Sequence, residues 1–251
     1  GYIGTHIDLI GMSLLVVSYY FLLKKKWIFS IIFLTLSIYI KYITVILMPI
    51  FFLAYYEENK DYHCKNILLY SWLKIGLTFV LITILLFLPY HKAGYSIIEQ
   101  LFFYSSFWQF NGSLSHILAL IFNKHARPLI GIFFVIMYII IFFKKNVNYD
   151  VKIEYILLLF FISAFTLYPW YVIYIIPFLC IHVTLSKLYL ICSLNLSYWV
   201  LIEYYKTKTW SLEPLIQIAE YVPFFIFLMW DIYKNNYVQK QENCHNNSSI
   251  K

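Results

Sequence analysis

Thirty-two consecutive residues, Tyr155 to Ser186, carry no Asp, Glu, Lys or Arg. A run of that length exceeds the roughly 17–25 apolar residues that one membrane-crossing helix uses. It is interrupted only by Pro169 and Pro177, so two short or broken spans are expected in it. Other runs repeat the pattern: Leu9–Leu23, Trp27–Tyr56 around a single Lys41, Ile67–Pro89 around a single Lys74, Pro128–Phe143, Leu188–Ile202 and Tyr221–Trp230. The whole chain is 62% hydrophobic and 12% charged over 251 residues, with 25 Tyr and 23 Phe. A soluble domain has about 25% charged residues, and a globule of this size lacks the interior to hide so much apolar surface. The composition excludes a soluble enzyme, a disordered chain and a disulfide-stapled secreted domain. The expected fold is all-α: a polytopic transmembrane bundle of about eight spans, several short or kinked, with interfacial helices on the outer face.

Orientation follows from lysine. If Lys24–Lys26 are cytoplasmic and residues 27–56 form two short helices around Lys41, twelve basic residues fall inside and five outside. A single span over 27–56 would move Lys144, Lys145 and Lys152 outside, against the positive-inside rule. The formal net charge of +7 is therefore assigned to cytoplasmic loops, and no nucleic-acid partner is expected. Residues 1–251 read as one integral-membrane domain ending in a polar cytoplasmic tail over 234–251, located in the plasma (inner) membrane. The four cysteines have no metal or redox spacing and read as free thiols.

Every segment unlike plain membrane helix then lies on the outer side, and those segments hold the candidate site. His6 and Asp8 stand two apart where a helix enters from that face. They suit a hydroxyl, a metal or a phosphate, or Thr5 and Asp8 serve only as helix caps. Lys41, between two apolar half-helices, suits a lipid phosphate, or snorkels to the headgroups. Phe107 to Leu114 joins an aromatic platform containing Trp108 to the amide of Asn111, an arrangement that holds sugars; Asn111-Gly-Ser113 is also a formal glycosylation acceptor. Tyr168-Pro-Trp170-Tyr171 breaks the longest apolar run, as a site wall or an ordinary kinked hairpin. Glu220 reads as a carboxylate at the start of the last helix.

The ordered set His6-Ile-Asp8, Lys41 with Pro49, Leu88-Pro89-Tyr90, Trp108-Gln-Phe-Asn111-Gly-Ser-Leu114, Pro169-Trp-Tyr171 with Ile175-Ile-Pro177-Phe, Leu196-Ser-Tyr198 and Glu220-Tyr-Val-Pro223-Phe spans nearly the whole chain. It resembles the GT-C membrane glycosyltransferases of the glycosyltransferase family 87 kind, related to the mannosyltransferases that extend GPI anchors. The resemblance implies transfer of a hexose, usually mannose, from a polyprenyl-phosphate sugar to an acceptor hydroxyl on a glycan, lipid or protein, at the outer face and without direct use of a nucleotide sugar. No cofactor is expected, and nothing beyond the His6/Asp8 pair has metal-ligand spacing. It implies Lys41 and His6 for the phosphate, Trp108, Asn111, Trp170 and Tyr171 for the sugar, and Asp8 orienting within the pocket. Tyr168 departs from the pattern, since relatives often have His there. The general base of such enzymes lies in a first outer loop, expected ahead of His6, so residues 1–251 alone are expected to be inactive. The competing expectations are a non-enzymatic transporter or flippase-type protein and an inactive remnant of the transferase.

Overall fold

The computed structural model describes residues 7–59, 65–93, 99–100, 102–103 and 106–248. They are all-α, apart from one isolated parallel bridge between Phe110 and Thr166. In order the helices are α1 (Asp8–Leu23), α2 (Trp27–Ile40), α3 (Met48–Asn59), α4 (Lys65–Phe87), α5 (Leu114–Phe122), α6 (Ala126–Phe143), α7 (Tyr149–Ser163), α8 (Ile176–Leu179), α9 (Leu185–Ser193), α10 (Trp199–Thr207) and α11 (Pro214–Ser248). Short 3₁₀ turns at Tyr42–Leu47, Leu88–Ala93, Asn123–His125, Pro169–Tyr174 and Leu194–Tyr198 connect or extend them. Four stretches are long and apolar enough to cross a membrane: Trp72–Lys92, Leu114–Phe143, Leu185–Thr207 and Pro214–Lys234. Asp8–Leu23 and Trp27–Ile40 are shorter apolar helices. This is the architecture of a multi-pass membrane protein.

The expected division of residues 27–56 is present. Helix α2 stops at Ile40, Lys41 is extended (φ −151°, ψ 119°), and the chain turns through Tyr42–Leu47 into α3. The return is fixed at the far end, where Lys25 pairs with Glu58. The long uncharged run breaks earlier than its prolines suggest. Helix α7 ends at Ser163, Ala164 is extended (ψ 136°), and Pro169 begins the next turn. The last helix begins at Pro214, so Glu220 lies inside it rather than at its start. Asp8 does not cap α1: Ile7 occupies the cap position without a side-chain bond, and Asp8 is the first helical residue, while Thr5 lies outside the described residues. The backbone of α11 continues helical through the polar segment to Ser248. Interfacial helices are expected in the outer segment 89–127, of which 94–98, 101, 104 and 105 lie outside the described residues.

Helices α1 and α2 form the tightest pair, through small polar residues rather than large ones. Ser18 Oγ donates to Ser30 O (2.6 Å), Ser30 Oγ returns to Ser18 O (3.0 Å), and Ser37 Oγ donates to Gly11 O (2.7 Å). Small residues let two backbones approach closely where no hydrophobic effect drives helices together. Around this pair the core gathers Leu15, Leu34, Leu47, Ile50, Ile153, Ile156, Leu157, Tyr174 and Phe178, each at most 1% exposed. Helices α4 and α6 instead turn Leu73, Leu77, Leu81, Ile132, Val135 and Ile139 outward, as lipid-facing helices do.

The bundle has two chemically different ends. At one, Tyr149 donates to Glu57, Lys152 Nζ to Phe142 O (2.9 Å), and the Ser186 amide to Asp231 Oδ2 (2.9 Å). Asp150 meets His182 (2.9 Å) and Lys187 pairs with Glu154 at the same end. At the other end stand Asp8, Lys41, Trp108 and residues 168–171.

Gly11 tests the packing. An added Cβ would overlap the Tyr174 hydroxyl and press on Ile40 (3.0 Å). Gly11→Ala is expected to destabilise the protein by about 1–3 kcal/mol, the usual cost of overpacking. The Tyr174 hydroxyl is buried with no hydrogen-bond partner. Adding Tyr174→Phe should therefore recover part of that loss, read as unfolding temperature in detergent.

Candidate functional site

Lys41 is where an apolar helix must end. Its extended backbone points the side chain back toward the start of α1, and Nζ lies 2.9 Å from Asp8 Oδ1. The same ammonium sits 4.1 Å from the centre of the Tyr171 ring. The Asp8 side chain is 6% exposed and that of Lys41 26%. Asp8 also sits in the first turn of α1, where the helix dipole favours negative charge. One cation is thus held by a carboxylate and an aromatic face, drawn from three separate segments.

Tyr171 belongs to an aromatic wall that continues from the ammonium. The Tyr168 ring meets Tyr171 edge-on at 5.8 Å and stacks on Trp170 at 4.5 Å with 5° between planes. Its hydroxyl accepts a hydrogen bond from Trp108 Nε1 (3.0 Å), and its other side stacks on Phe110 (4.6 Å). Trp170 reaches Tyr198 at 6.3 Å. At the Trp108 end a second cation closes the row: Arg127 lies 4.4 Å from the Phe165 ring and donates to Trp108 O (3.4 Å). A Tyr at position 168 keeps a polar atom on the wall, and here that atom orients Trp108.

The segment bearing Trp108 and Asn111 is not helical, so its polar backbone needs partners elsewhere. It finds them in the stretch that follows α7. The Phe110 amide donates to Phe165 O (3.0 Å) and the Leu167 amide to Phe110 O (2.8 Å). Ser113 Oγ donates to Ile162 O (2.8 Å), Ser115 Oγ to Ala164 O (2.6 Å) and Thr166 Oγ1 to Trp108 O (3.2 Å). Asn111 adopts φ +52°, a conformation that Asn tolerates better than most residues. At Gly112 a Cβ would overlap Ser115 Oγ and crowd Ala164 O (3.2 Å).

Asn111 itself is turned away from the wall. It is 3% exposed, and its Nδ2 donates to Glu220 Oε2 (2.7 Å) across 109 residues of chain. Tyr221 Oη donates to Asn111 O (2.7 Å). Glu220 is fully buried, and Ser193 Oγ reaches its carbonyl (3.5 Å). With its amide used in this way Asn111 is a poor glycan acceptor, which removes the glycosylation reading of Asn111-Gly-Ser113.

No family model, curated protein or solved structure matches the chain. The site stands on its own geometry.

That geometry brings together Asp8, Lys41, Tyr171, Trp170 and Trp108 as one continuous surface, with Asn111 behind it. His6 lies outside the described residues. Among the described residues no group of three His, Cys, Asp or Glu is placed to hold a metal ion. Sequence reasoning missed the central position of Tyr168 and the burial of Glu220. A signal for the latter existed: Glu220 is the one charge between Pro214 and Trp230, and a lone carboxylate in an apolar helix usually has a specific partner.

The Asn111–Glu220 bond ties the segment that carries Trp108 to α11 behind this surface. Asn111→Ala removes the donor and places a β-carbon residue at positive φ, whereas Asn111→Gly removes the donor alone. The Gly variant is expected to be the more stable by about 1 kcal/mol, the penalty of a left-handed non-glycine residue. Both should fall below wild type in unfolding temperature, because a buried carboxylate loses its bond.

Proposed function

We propose that this chain is the C-terminal part of an integral-membrane glycosyltransferase of the GT-C kind. It would move a hexose, usually mannose, from a polyprenyl phosphate to an acceptor hydroxyl at the outer face of the plasma membrane. The observation that carries this reading is the Lys41 ammonium set at the edge of the Tyr171–Tyr168–Trp108 wall. The full arrangement would be about eight spans, with the Lys-rich end cytoplasmic and the wall outside.

In inverting transfer the bond between the anomeric carbon and the phosphate oxygen breaks as the acceptor oxygen bonds to that carbon. Charge develops on the departing phosphate, and a pre-positioned cation stabilises it. An ammonium has three N–H donors. Asp8 takes one direction and the Tyr171 face a second, so a third remains for a phosphate oxygen; the partial exposure of Lys41 supports access to it. Asp8 keeps the amine aimed. The aromatic rings would take the apolar face of the sugar, and Trp108 its edge. His6 would add to the phosphate contacts. The base for the acceptor hydroxyl belongs, on this reading, to an outer loop ahead of His6.

Binding of polyprenyl phosphate to the chain in lipid nanodiscs, followed by native mass spectrometry, tests the assignment. Lys41→Ala should weaken it by about tenfold or more, the loss of one charge-assisted hydrogen bond. Asp8→Asn, which keeps the ammonium but loosens its aim, should weaken binding distinctly less. Equal loss in both variants would mean that the pair is structural only and would overturn the phosphate role. With polyprenyl-phosphate mannose, residues 1–251 are expected to bind without turnover.

A flippase-type transporter is the second reading, favoured by charged and polar side chains buried in an otherwise apolar bundle, Glu220 inside the last apolar helix above all. Movement of a fluorescent polyprenyl phosphate across vesicles holding the purified chain would support it instead.

A further inference from the structure

Behind the wall, between the segment Gln109–His116 and the segment Trp210–Gln217, lies a cavity of about 240 Å³. It is smaller than the roughly 300–1,000 Å³ of pockets for drug-sized ligands and suits a single ring. Its lining is distinctive in what it combines. The amides of Gln109, Asn111 and Gln217 and the imidazole of His116 supply polar contacts, Phe110 and Trp210 supply aromatic faces, and no lining residue is Lys, Arg, Asp or Glu. A phosphate or carboxylate entering it would find no countercharge, whereas a neutral polyol would find donors, acceptors and ring faces together.

A second observation shows that the site has unused polar capacity. Asn111 Oδ1 is buried without a hydrogen-bond partner, although its Nδ2 is committed to Glu220. A buried acceptor left unpaired costs about 1–3 kcal/mol, and a ligand hydroxyl reaching it would relieve that cost. Gln109, His116, Trp210 and Gln217 stand on partly or fully exposed positions, so the cavity is reached from outside the bundle. Phe110 separates the two surfaces: one side stacks on Tyr168 of the wall (4.6 Å), and Trp210 lies 6.0 Å away on the other.

We infer that this cavity binds an uncharged sugar ring, the terminal unit of an acceptor glycan, separately from the lipid-linked donor. The acceptor role rests on the transferase reading above; the sugar site itself does not. Its ligand is defined by the lining: neutral, hydroxyl-rich, one ring wide at the deep end, and chain-extended outward. Gln217 on α11 and Gln109 on the Trp108 segment approach it from opposite sides, so the site also depends on the Asn111–Glu220 bond that joins those elements.

The test uses the full chain in nanodiscs and saturation-transfer NMR with methyl α-mannoside, methyl β-glucoside and methyl β-galactoside, and glucuronate as the charged control. At least one neutral glycoside should receive saturation, and glucuronate should receive none. Gln217→Leu and His116→Ala should each weaken binding by about fivefold, one neutral hydrogen bond apiece. Trp210→Ala should abolish it, and Tyr149→Phe, at the Lys-rich end, should leave it unchanged. The substituted cavity positions are outside the buried core, and an unaltered unfolding temperature confirms that each variant folds. Saturating polyprenyl phosphate should leave glycoside binding in place. Absence of binding by every neutral glycoside, equal binding of glucuronate, insensitivity to Gln217→Leu and Trp210→Ala, or displacement by polyprenyl-phosphate mannose would each overturn the proposal. Failure of polyprenyl phosphate to bind, with glycoside binding retained, would instead remove the transferase reading and leave the sugar site standing.

Discussion

The ion pair between Lys41 and Asp8 is the interaction on which the end of the bundle opposite the lysine-rich one depends. A lysine between two apolar half-helices must find a counter-charge or reach water, because an unpaired buried charge is costly and removing one partner of a buried pair costs about 3–5 kcal/mol. Here the partner is supplied by the first turn of α1 and a ring face by the turn at Pro169–Tyr174. Those two contacts fix where α1 begins relative to the break after α2. They also fix where the chain re-enters the bundle after α7. The reversal at Lys41 sends α3 back alongside, so that Glu58 meets Lys25 at the opposite end.

A second constraint comes from backbone that is not helical. Within an apolar surround every amide and carbonyl must be satisfied inside the protein. The segment from Trp108 to Ser115 and the stretch from Ile162 to Leu167 solve this for one another, by a single parallel bridge and three hydroxyl-to-carbonyl bonds. This accounts for the small and hydroxyl-bearing residues there. Gly112 admits the close approach, and Ser113, Ser115 and Thr166 carry donors short enough to reach a neighbouring carbonyl. The aromatic wall is rigid for the same reason, since both strips that carry its rings are pinned along their backbones.

These two constraints differ in how they are written in the sequence. Lys41 is legible because a charge in an apolar run is rare and because a turn there keeps Lys144, Lys145 and Lys152 on the side of Lys24–Lys26. The lysine-rich end is legible too, because Lys24–Lys26 and Lys144–Lys145 punctuate the helices. The break at Ala164 carries no such mark: it follows three hydrophobic turns, precedes the nearest proline by five residues, and is enforced by acceptors that serve Ser113 and Ser115 some fifty residues away. Glu220 was read from its neighbours as a helix start, yet Pro214 already begins that helix and the carboxylate is spent on Asn111. Local propensity marks ends and breaks; it does not mark which distant group a buried polar atom requires. The same limit hid the cavity at Gln109 and Gln217, whose two sides come from segments that share no periodicity.

The lysines at the two ends use their ammonium groups differently. Lys187 spends its ammonium on Glu154 and on His182 O (2.8 Å), and its side chain is 6% exposed. Lys152 spends its own on Phe142 O, closing the end of α6 against α7. Both amines are enclosed by the groups they hold, so they act as fasteners. Lys41 makes one carboxylate contact and one ring contact, and neither a ring face nor a single oxygen exhausts three donors. A cation that is oriented, incompletely saturated and bordered by a flat aromatic surface keeps donor capacity to spare, which is what the phosphate role proposed above requires. That capacity, rather than charge alone, distinguishes it from the twelve basic residues assigned to the opposite face.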